Sequence, residues 1–302
     1  KSFDNRRNDI LSSSGLDQFI DQLALNNLSN ENILFPYLQN AYLPIRTALL
    51  NPNSKITAYE IFHKRNAFAT LLKLFYNLQS LRLINESWLH QSMSNTDDVE
   101  LYDLIIDIAP LGLHLKFPVP DPENYPKEFN RSSKTTEVYE QHKILRHLKD
   151  NGNGYLLTGK YFGFSAKNIL KFVRNKLLTD QNIQTIFKLP GGLLSSTMIE
   201  SLLFHLTKNN NAEVQFVDTT ECFKKISRTE LGLSQSGTID IFNAINKGQK
   251  LEHRVEKINT QSLISKVSDI DPNRFVDNSE AAQSRRRLLA NYSDYNEVSL
   301  GS

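Results

Sequence analysis

Cysteine is nearly absent: Cys222 is the single one in 302 residues. A lone thiol excludes an internal disulfide and a cysteine-built zinc cluster, and it fits a reducing cytoplasm, where we expect the protein. Cys222 has no Cys or His neighbour, so it reads as a buried or idle thiol. No apolar run approaches the ~20 residues that a membrane span requires, so no membrane partner is expected. No secretory pattern marks the first residues, which open on Lys1 rather than Met. Charge of one sign is not in surplus: 35 Lys and Arg stand against 33 Asp and Glu, a net +2. Nucleic acid would therefore be held by a local patch, not by a field over the whole molecule. Paired metal ligands are missing too. His142 and His147 lie five residues apart on a predicted helix, off the shared face that a metal needs, so no metal site is expected.

The rest of the composition is ordinary for a folded protein, with 39% hydrophobic and 23% charged residues. The length allows one or two domains and a sizeable core. Residues 16–28 carry a helical stripe that includes Leu16, Phe19, Ile20 and Leu23. Strands are predicted over 32–38, 55–61, 83–88, 102–107, 155–159, 183–189, 199–206 and 214–217. Helices are predicted over 41–50, 63–81, 137–149 and 166–178. In the second of these, Phe68, Leu71, Leu72, Leu74 and Phe75 form the apolar face. Asn151-Gly152-Asn153-Gly154 reads as a turn. Strands alternate with helices from 32 to 189, the mark of a parallel sheet with right-handed crossovers. Short turns after Pro190 predict an antiparallel edge. Beyond Phe223 the pattern is helical and polar. We divide the chain into a helical lead-in over 1–30, an α/β domain over 31–222 and a helical extension over 223–302.

The focal stretch is Tyr102-Asp103-Leu104-Ile105-Ile106-Asp107-Ile108-Ala109-Pro110-Leu111-Gly112. It is an apolar run that stops at breakers, as a buried parallel strand does. Ligands of open α/β sheets sit beyond the carboxyl ends of such strands, so the residues after Ile106 should face the site. Other segments fall in a telling order around it. Ile56-Thr57-Ala58-Tyr59-Glu60-Ile61 is a strand that ends in a carboxylate. Residues 153–158, a helix, and then Ile186-Phe187-Lys188-Leu189-Pro190-Gly191-Gly192-Leu193-Leu194 form a strand, helix, LPxG block. Gln215-Phe216-Val217-Asp218 and Asp271-Pro272-Asn273-Arg274-Phe275 come after it.

Over residues 30–276 this order resembles the N6-adenine DNA methyltransferases of restriction–modification systems, most of all the modification subunits of type I systems. The resemblance implies an α/β, Rossmann-like class I S-adenosylmethionine-dependent methyltransferase fold. Its sheet would be mostly parallel and seven-stranded with an antiparallel edge strand, followed by a helical C-terminal extension. S-adenosylmethionine is the implied cofactor, placed by Pro36, Glu60 and Ser87. For Glu60 the chemistry agrees, because a carboxylate ending the second strand can accept both ribose hydroxyls. DNA is the implied partner, with restriction and specificity subunits or a fused recognition domain as companions.

Three departures set this chain apart from the pattern. The family's cofactor loop, aspartate-proline-x-cysteine-glycine-x-glycine, falls on Phe35-Pro36-Tyr37-Leu38-Gln39-Asn40-Ala41, where only the proline survives. Glycines there let the backbone turn tightly and approach the ligand. The aspartate that usually ends the third strand is replaced at Ser87-Trp88. The catalytic tetrapeptide Asn/Asp-Pro-Pro-Phe/Tyr falls on Ile108-Ala109-Pro110-Leu111. Ile108 offers no acceptor for the target amine, and Leu111 has no π-face for a flipped base. No residue is therefore assigned as catalytic. Asp107 lacks the following proline and aromatic, so it reads as a solvated strand-end carboxylate. His63 reads as the exposed first turn of a helix rather than a base beside Glu60, and Trp88 as core.

Nucleic-acid contacts are expected at Lys116, Arg131 and Lys134, in a proline-rich loop over 113–136 that interleaves Phe117, Tyr125 and Phe129. Arg285 and Arg286 are further candidates for phosphate. Glu297-Val298-Ser299-Leu300-Gly301 resembles the opening strand of recognition domains in specificity subunits. The expected function is a methyltransferase-like domain of a defence system, catalytically degenerate and acting in DNA binding or complex assembly. The alternatives are an active adenine N6-methyltransferase with divergent motifs, and a protein-interaction scaffold without DNA binding.

Overall fold

The computed structural model describes residues 12–25, 28, 30–91, 99–111, 125–129, 135–194, 198–227, 230–249, 251–265, 269–276 and 284. Five strands form the parallel part of its main sheet: β1 (Asn32–Phe35), β2 (Lys55–Tyr59), β3 (Leu81–Ile84), β4 (Tyr102–Asp107) and β5 (Leu148–Gly159). They lie in the order β3-β2-β1-β4-β5. β7 (Ser201–Leu206) runs antiparallel between β5 and β6 (Ile183–Leu189). β8 (Glu213–Asp218) is parallel to β6, and β11 (Val255–Asn259) closes the sheet antiparallel to β8. A separate hairpin pairs β9 (Phe223–Lys225) with β10 (Leu231–Leu233).

The main sheet thus has nine strands, two more than the family resemblance implies. The extra pair follows from Val214, Phe216 and Val217 on β8, which are buried on both faces and need a neighbour on the open side. Helices α7 (Gln235–Asn246) and α8 (Thr260–Ser265) do follow Phe223, but strands are interleaved with them. Residues on either side of position 222 share one sheet through β8 and β11, and one core through Val217, Ile241 and Val255.

Helices cover both faces, as a parallel sheet demands. On one face lie α1 (Ser14–Ile20), α2 (Tyr42–Leu50), α3 (His63–Phe75) and α7. Phe19 of α1 is the hub there, with its ring 6.0 Å from Phe187, 5.4 Å from Phe223 and 5.5 Å from Phe242. On the other face lie α4 (Glu137–His147), α6 (Asn168–Thr179) and α8, and the short helix α5 (Tyr161–Phe164) follows β5. No described helix is long and apolar enough to cross a membrane.

Two local expectations are corrected. Asn151–Gly154 is no free turn but part of β5, whose register against β4 shifts between Tyr102 and Leu104. Gly152 sits in that irregularity, where a Cβ would lie 2.9 Å from the Tyr102 carbonyl oxygen. Of the apolar face read along α3, Leu72 packs half-buried against the core and the rest does not meet it. Ala69 is the buried residue of this helix, while Phe68, Leu71, Leu74 and Phe75 are exposed. A methyl group at the contact point lets α3 lie close to the sheet, and its large side chains then point outward.

Lys188 and Asp218 end β6 and β8 with a buried ion pair at 3.1 Å, and the two side chains are 6% and 0% exposed. Removing one partner of such a pair strands the other charge and costs about 3–5 kcal/mol. Urea denaturation should show a loss in this range for Asp218→Ala, largely recovered in Asp218→Ala/Lys188→Met. A loss below about 0.5 kcal/mol, the scale of a surface change, would refute the assignment.

Candidate functional site

The carboxyl ends of β1, β2 and β4 meet at one edge of the sheet, where the loops that leave them decide what can enter. After β1 the chain passes through buried Pro36 and Leu38 to reach α2. Two residues of this loop have left-handed backbone: Gln39 at φ 55° and Ala41 at φ 66°. These are the positions where the family loop carries glycine. The glycine-type turn is therefore kept, at a cost of about 1–2 kcal/mol for each side chain in that region. The side chains fill the room that glycines would leave open. Gln39 is buried, and its Nε2 donates to the Ile108 carbonyl oxygen across the edge. Asn40 turns away and donates to Asp17 Oδ2 of α1 at 2.6 Å.

After β4, the tetrapeptide Ile108, Ala109, Pro110 and Leu111 is buried throughout. Ile108 shares a cavity wall with Phe35, Leu38, Gln39, Leu43 and Ile106, and that cavity measures about 10 Å³. This is room for roughly one water molecule. Glu60 follows β2 as expected and is 4% exposed. Its Oε1 accepts from the Phe62 N–H at 2.8 Å, and burial raises its pKa above the ordinary range. Ser87 follows β3 and precedes Trp88, which is core.

Beside this edge stands a cluster that the sequence did not disclose. Asp107, Glu137 and Glu140 are all buried, at 0%, 1% and 0% exposure. Asp107 was expected in solvent. Alternation along β4 instead turns it toward the first turn of α4, opposite to Ile106 and Ile108. Neither of its carboxylate oxygens has a hydrogen-bond partner among the described residues. Tyr37, from the loop after β1, donates to Glu140 Oε1 at 2.7 Å, and Tyr161, after β5, donates to Glu137 Oε1 at 2.7 Å. Burial first, and then the charge of Glu137, holds the Asp107 carboxyl well above the usual carboxylate range. Burial and the charges of Asp107 and Glu137 do the same to Glu140. Burial thus favours protonated Asp107 and Glu140, and the two tyrosine hydrogen bonds tie the loops after β1 and β5 to α4. Among the described residues no group of three or more acids, histidines or cysteines could hold a metal ion. Helix-start acids at 137 and 140 look solvated in sequence, and only the packing of α4 reveals them as buried.

Of the nucleic-acid candidates, Lys116, Arg131, Lys134, Arg285 and Arg286 lie outside the described residues. Two aromatics of that loop are described, and neither is free to stack on a base. Tyr125 and Phe129 are buried, with rings 5.2 Å and 5.7 Å from Tyr139 of α4. A cleft of about 780 Å³ lies at the other end of the sheet, between Gln184, Gln215, Asn246 and Lys257. It is far from the carboxyl edge, so its size does not make it the site that this fold predicts.

The family profile for N-6 DNA methylases matches residues 96–285. The chain belongs to the N-6 DNA methylase family. No curated protein matches it in sequence. Among solved structures, the methyltransferase subunit of the type I restriction–modification system from Streptococcus thermophilus superposes with a TM-score of 0.75 at 15% identity, over 92% of this chain and 60% of that one. The M protein of the type I restriction enzyme EcoKI gives 0.60 at 14% identity, over 92% of this chain and 70% of that one. The type IIG restriction endonuclease BpuSI gives 0.62 at 15% identity, over 91% and 32%. At these identities the likeness is one of fold, and it establishes a class I methyltransferase architecture. This methylase-family chain spans three fifths of the Streptococcus subunit's length.

S-adenosylmethionine does not fit between Gln39 and Ile108 as these residues stand. A ligand of that class occupies a pocket of about 300–1,000 Å³, against the cavity of about 10 Å³ beside Gln39 and Ile108; on its other side the Gln39–Ala41 loop borders a more open cleft of about 310 Å³ with Lys64, Arg65 and Phe68.

The carboxylate cluster makes stability depend on pH. The pKa values of Asp107 and Glu140 are raised on folding, so their contribution is complete below the unfolded values, near 3.8 and 4.5, and is lost as pH rises through the folded ones. Asp107→Asn keeps the shape and removes the proton. Denaturant unfolding should find this variant more stable than the parent at pH 8, with the gain fading at acid pH. Identical pH slopes for the two proteins would sink this account.

Proposed function

We propose that this chain is the methylase-like domain of a restriction–modification or related defence assembly, in which cofactor binding and methyl transfer have been lost and the fold serves DNA binding or complex assembly. The observation that carries the reading is the closed carboxyl edge, where Gln39 and Leu38 meet Ile108 over a cavity of about 10 Å³. The replaced tetrapeptide supports it. Ile108 and Leu111 are core residues, 3% and 7% exposed, in the place where an acceptor and an aromatic would meet the base. Losing one placed polar group at a reacting centre costs about 10²–10³ in rate, and here several are lost together. A role in assembly draws support from structural likeness to the modification subunits of type I systems. The DNA contacts of this reading are Lys116, Arg131, Lys134, Arg285 and Arg286, and its setting is the cytoplasm. A second reading, an active methyltransferase completed by a partner chain, is favoured by Glu60, which keeps the ribose-binding place at the end of β2.

Calorimetric titration of the chain with S-adenosylmethionine tests the two. No heat and no thermal shift at millimolar ligand are expected. Saturable binding that disappears in Glu60→Ala would overturn the loss of the cofactor site and leave Ile108–Leu111 as its only remaining basis. Duplex DNA is expected to bind with an affinity that falls steeply as salt rises. Unchanged affinity after alanine replacement of all five cations would remove DNA binding from the proposal and leave assembly.

A further inference from the structure

The cleft at the starts of β6 and β8 measures about 780 Å³, inside the ~300–1,000 Å³ range of ligand sites. Six of its ten wall residues are carboxamides: Gln184, Asn210, Asn211, Gln215, Asn246 and Asn259. Each carries the donor and the acceptor of a peptide group. Gln184, Asn210, Asn246 and Asn259 are exposed. Gln215 is 7% exposed, and its Nε2 has no hydrogen-bond partner among the described residues. A buried donor left in that state is costly, so an acceptor brought to it is favoured.

Charge narrows the occupant. Lys257 and Glu213 are the two ionic wall residues, and they are of opposite sign. α7 ends at the cleft with Ile245 and Asn246, so the negative end of its dipole lies there. Lys257 answers that end, since a Cβ added to Gly248, just past the helix, would lie 3.4 Å from its Nζ. No net charge is left to hold a phosphate or another anion. Among the described residues no aromatic ring lines the cleft, so a base or a sugar finds no face to stack on. A polypeptide main chain, neutral and rich in both donors and acceptors, matches these walls.

The edge of the sheet fits the same occupant. β11 is the outermost strand. The Asp218 N–H donates to the Arg254 carbonyl at 2.8 Å and the Thr260 N–H to the Ala212 carbonyl at 2.9 Å, which turns the even-numbered residues of β11 toward β8. The main-chain N–H and C=O of Lys257 therefore point off the sheet, while those of Val255 are taken by Leu251. Lys257 is thus both a wall of the cleft and an open rung at the edge. A second copy paired at this rung about a two-fold axis would set Lys257 against Lys257, a like-charge pair that opposes it. We propose that this corner binds a short, uncharged, extended segment of another protein by its main chain, paired with the Lys257 rung and held by the carboxamides of the cleft. The site shares no residue with the carboxyl edge or with the DNA candidates, so it stands or falls apart from the functional proposal.

The test uses the full chain and a labelled Thr-Val-Thr-Val-Thr peptide, blocked at both ends. Fluorescence anisotropy should show saturable binding that does not weaken as salt rises. The same peptide with every peptide nitrogen methylated has lost its donors and should bind about tenfold more weakly. Lys257→Pro removes the N–H of the open rung without breaking a ladder bond, and it should weaken the parent peptide about tenfold. Gln184→Leu/Asn246→Leu should do the same and, with both side chains exposed, keep the parent melting temperature; it decides the matter if the proline variant does not fold. No saturable binding, equal binding of the methylated peptide, or an affinity untouched by Gln184→Leu/Asn246→Leu would overturn the proposal. So would displacement of the peptide by millimolar adenosine or glucose, which would make the cleft a small-molecule site. A parent dimer in sedimentation that Lys257→Pro dissolves would also overturn it, because a second copy would then hold the edge.

Discussion

A parallel sheet has to bury both of its faces, and most of this molecule follows from that. Strands β3, β2, β1, β4 and β5 run the same way, so each connection must cross the sheet, and those that leave β1, β2 and β4 bring a helix with them. α1, α2 and α7 seal one face around Phe19, and α4 and α6 seal the other around Ile144, Leu170 and Val173. Once both faces are closed, the loops at the carboxyl edge are where a ligand site can gather. The same demand weakens toward the rim. β3 is the last strand on its side, and α3 rests there on Ala69 and half-buried Leu72, which leaves Phe68, Leu71, Leu74 and Phe75 outside.

At the carboxyl edge the loop after β1 turns tightly and packs its own side chains against Ile108. Gln39 and Ala41 stay left-handed because the chain still has to turn sharply from β1 into α2. Burial of Leu38 and Ala41, together with the Gln39–Ile108 hydrogen bond, offsets the backbone strain. In a glycine loop the lost side-chain volume is space for ligand. Here that volume is protein. Glu140 and Glu137 reinforce the packing from the neighbouring side, since the hydrogen bonds they accept from Tyr37 and Tyr161 knit the β1 and β5 loops to α4. The raised pKa values of Asp107 and Glu140 favour their neutral forms and so limit the charge placed in the packed interior.

Much of the architecture is written in local pattern. β1, β2, β4, β6 and β8 lie where β-branched and aromatic runs end in breakers, and α2, α4 and α6 lie where a 3.6-residue stripe separates them. The motif order around Glu60, Leu189-Pro190-Gly191 and Asp271-Pro272 pointed to the N-6 DNA methylase family, and the match over 96–285 agrees. The extra strand β11 was not legible. Val255-Glu256-Lys257-Ile258-Asn259 mixes charged and apolar residues, and only the open edge of β8 turns it into a strand. The α3 stripe misled for a related reason. Periodicity reports that a face exists but not which way it points, and a neighbour must decide that.

By itself the sequence determined the fold class and the family, and it placed Gln39, Ala41, Ile108 and Leu111 where the resemblance expects glycines, a polar residue and an aromatic, because these depend on residue type at given spacing. Tertiary structure alone decided whether the space around them was open. Gln39 reaches Ile108, and Asp107 reaches Glu137 and Glu140, across 69 residues and about 30 residues of chain respectively. Contacts at that separation have no local signature. They exist because the sheet brings the ends of β1 and β4 side by side and the packing of α4 puts buried acids beside them.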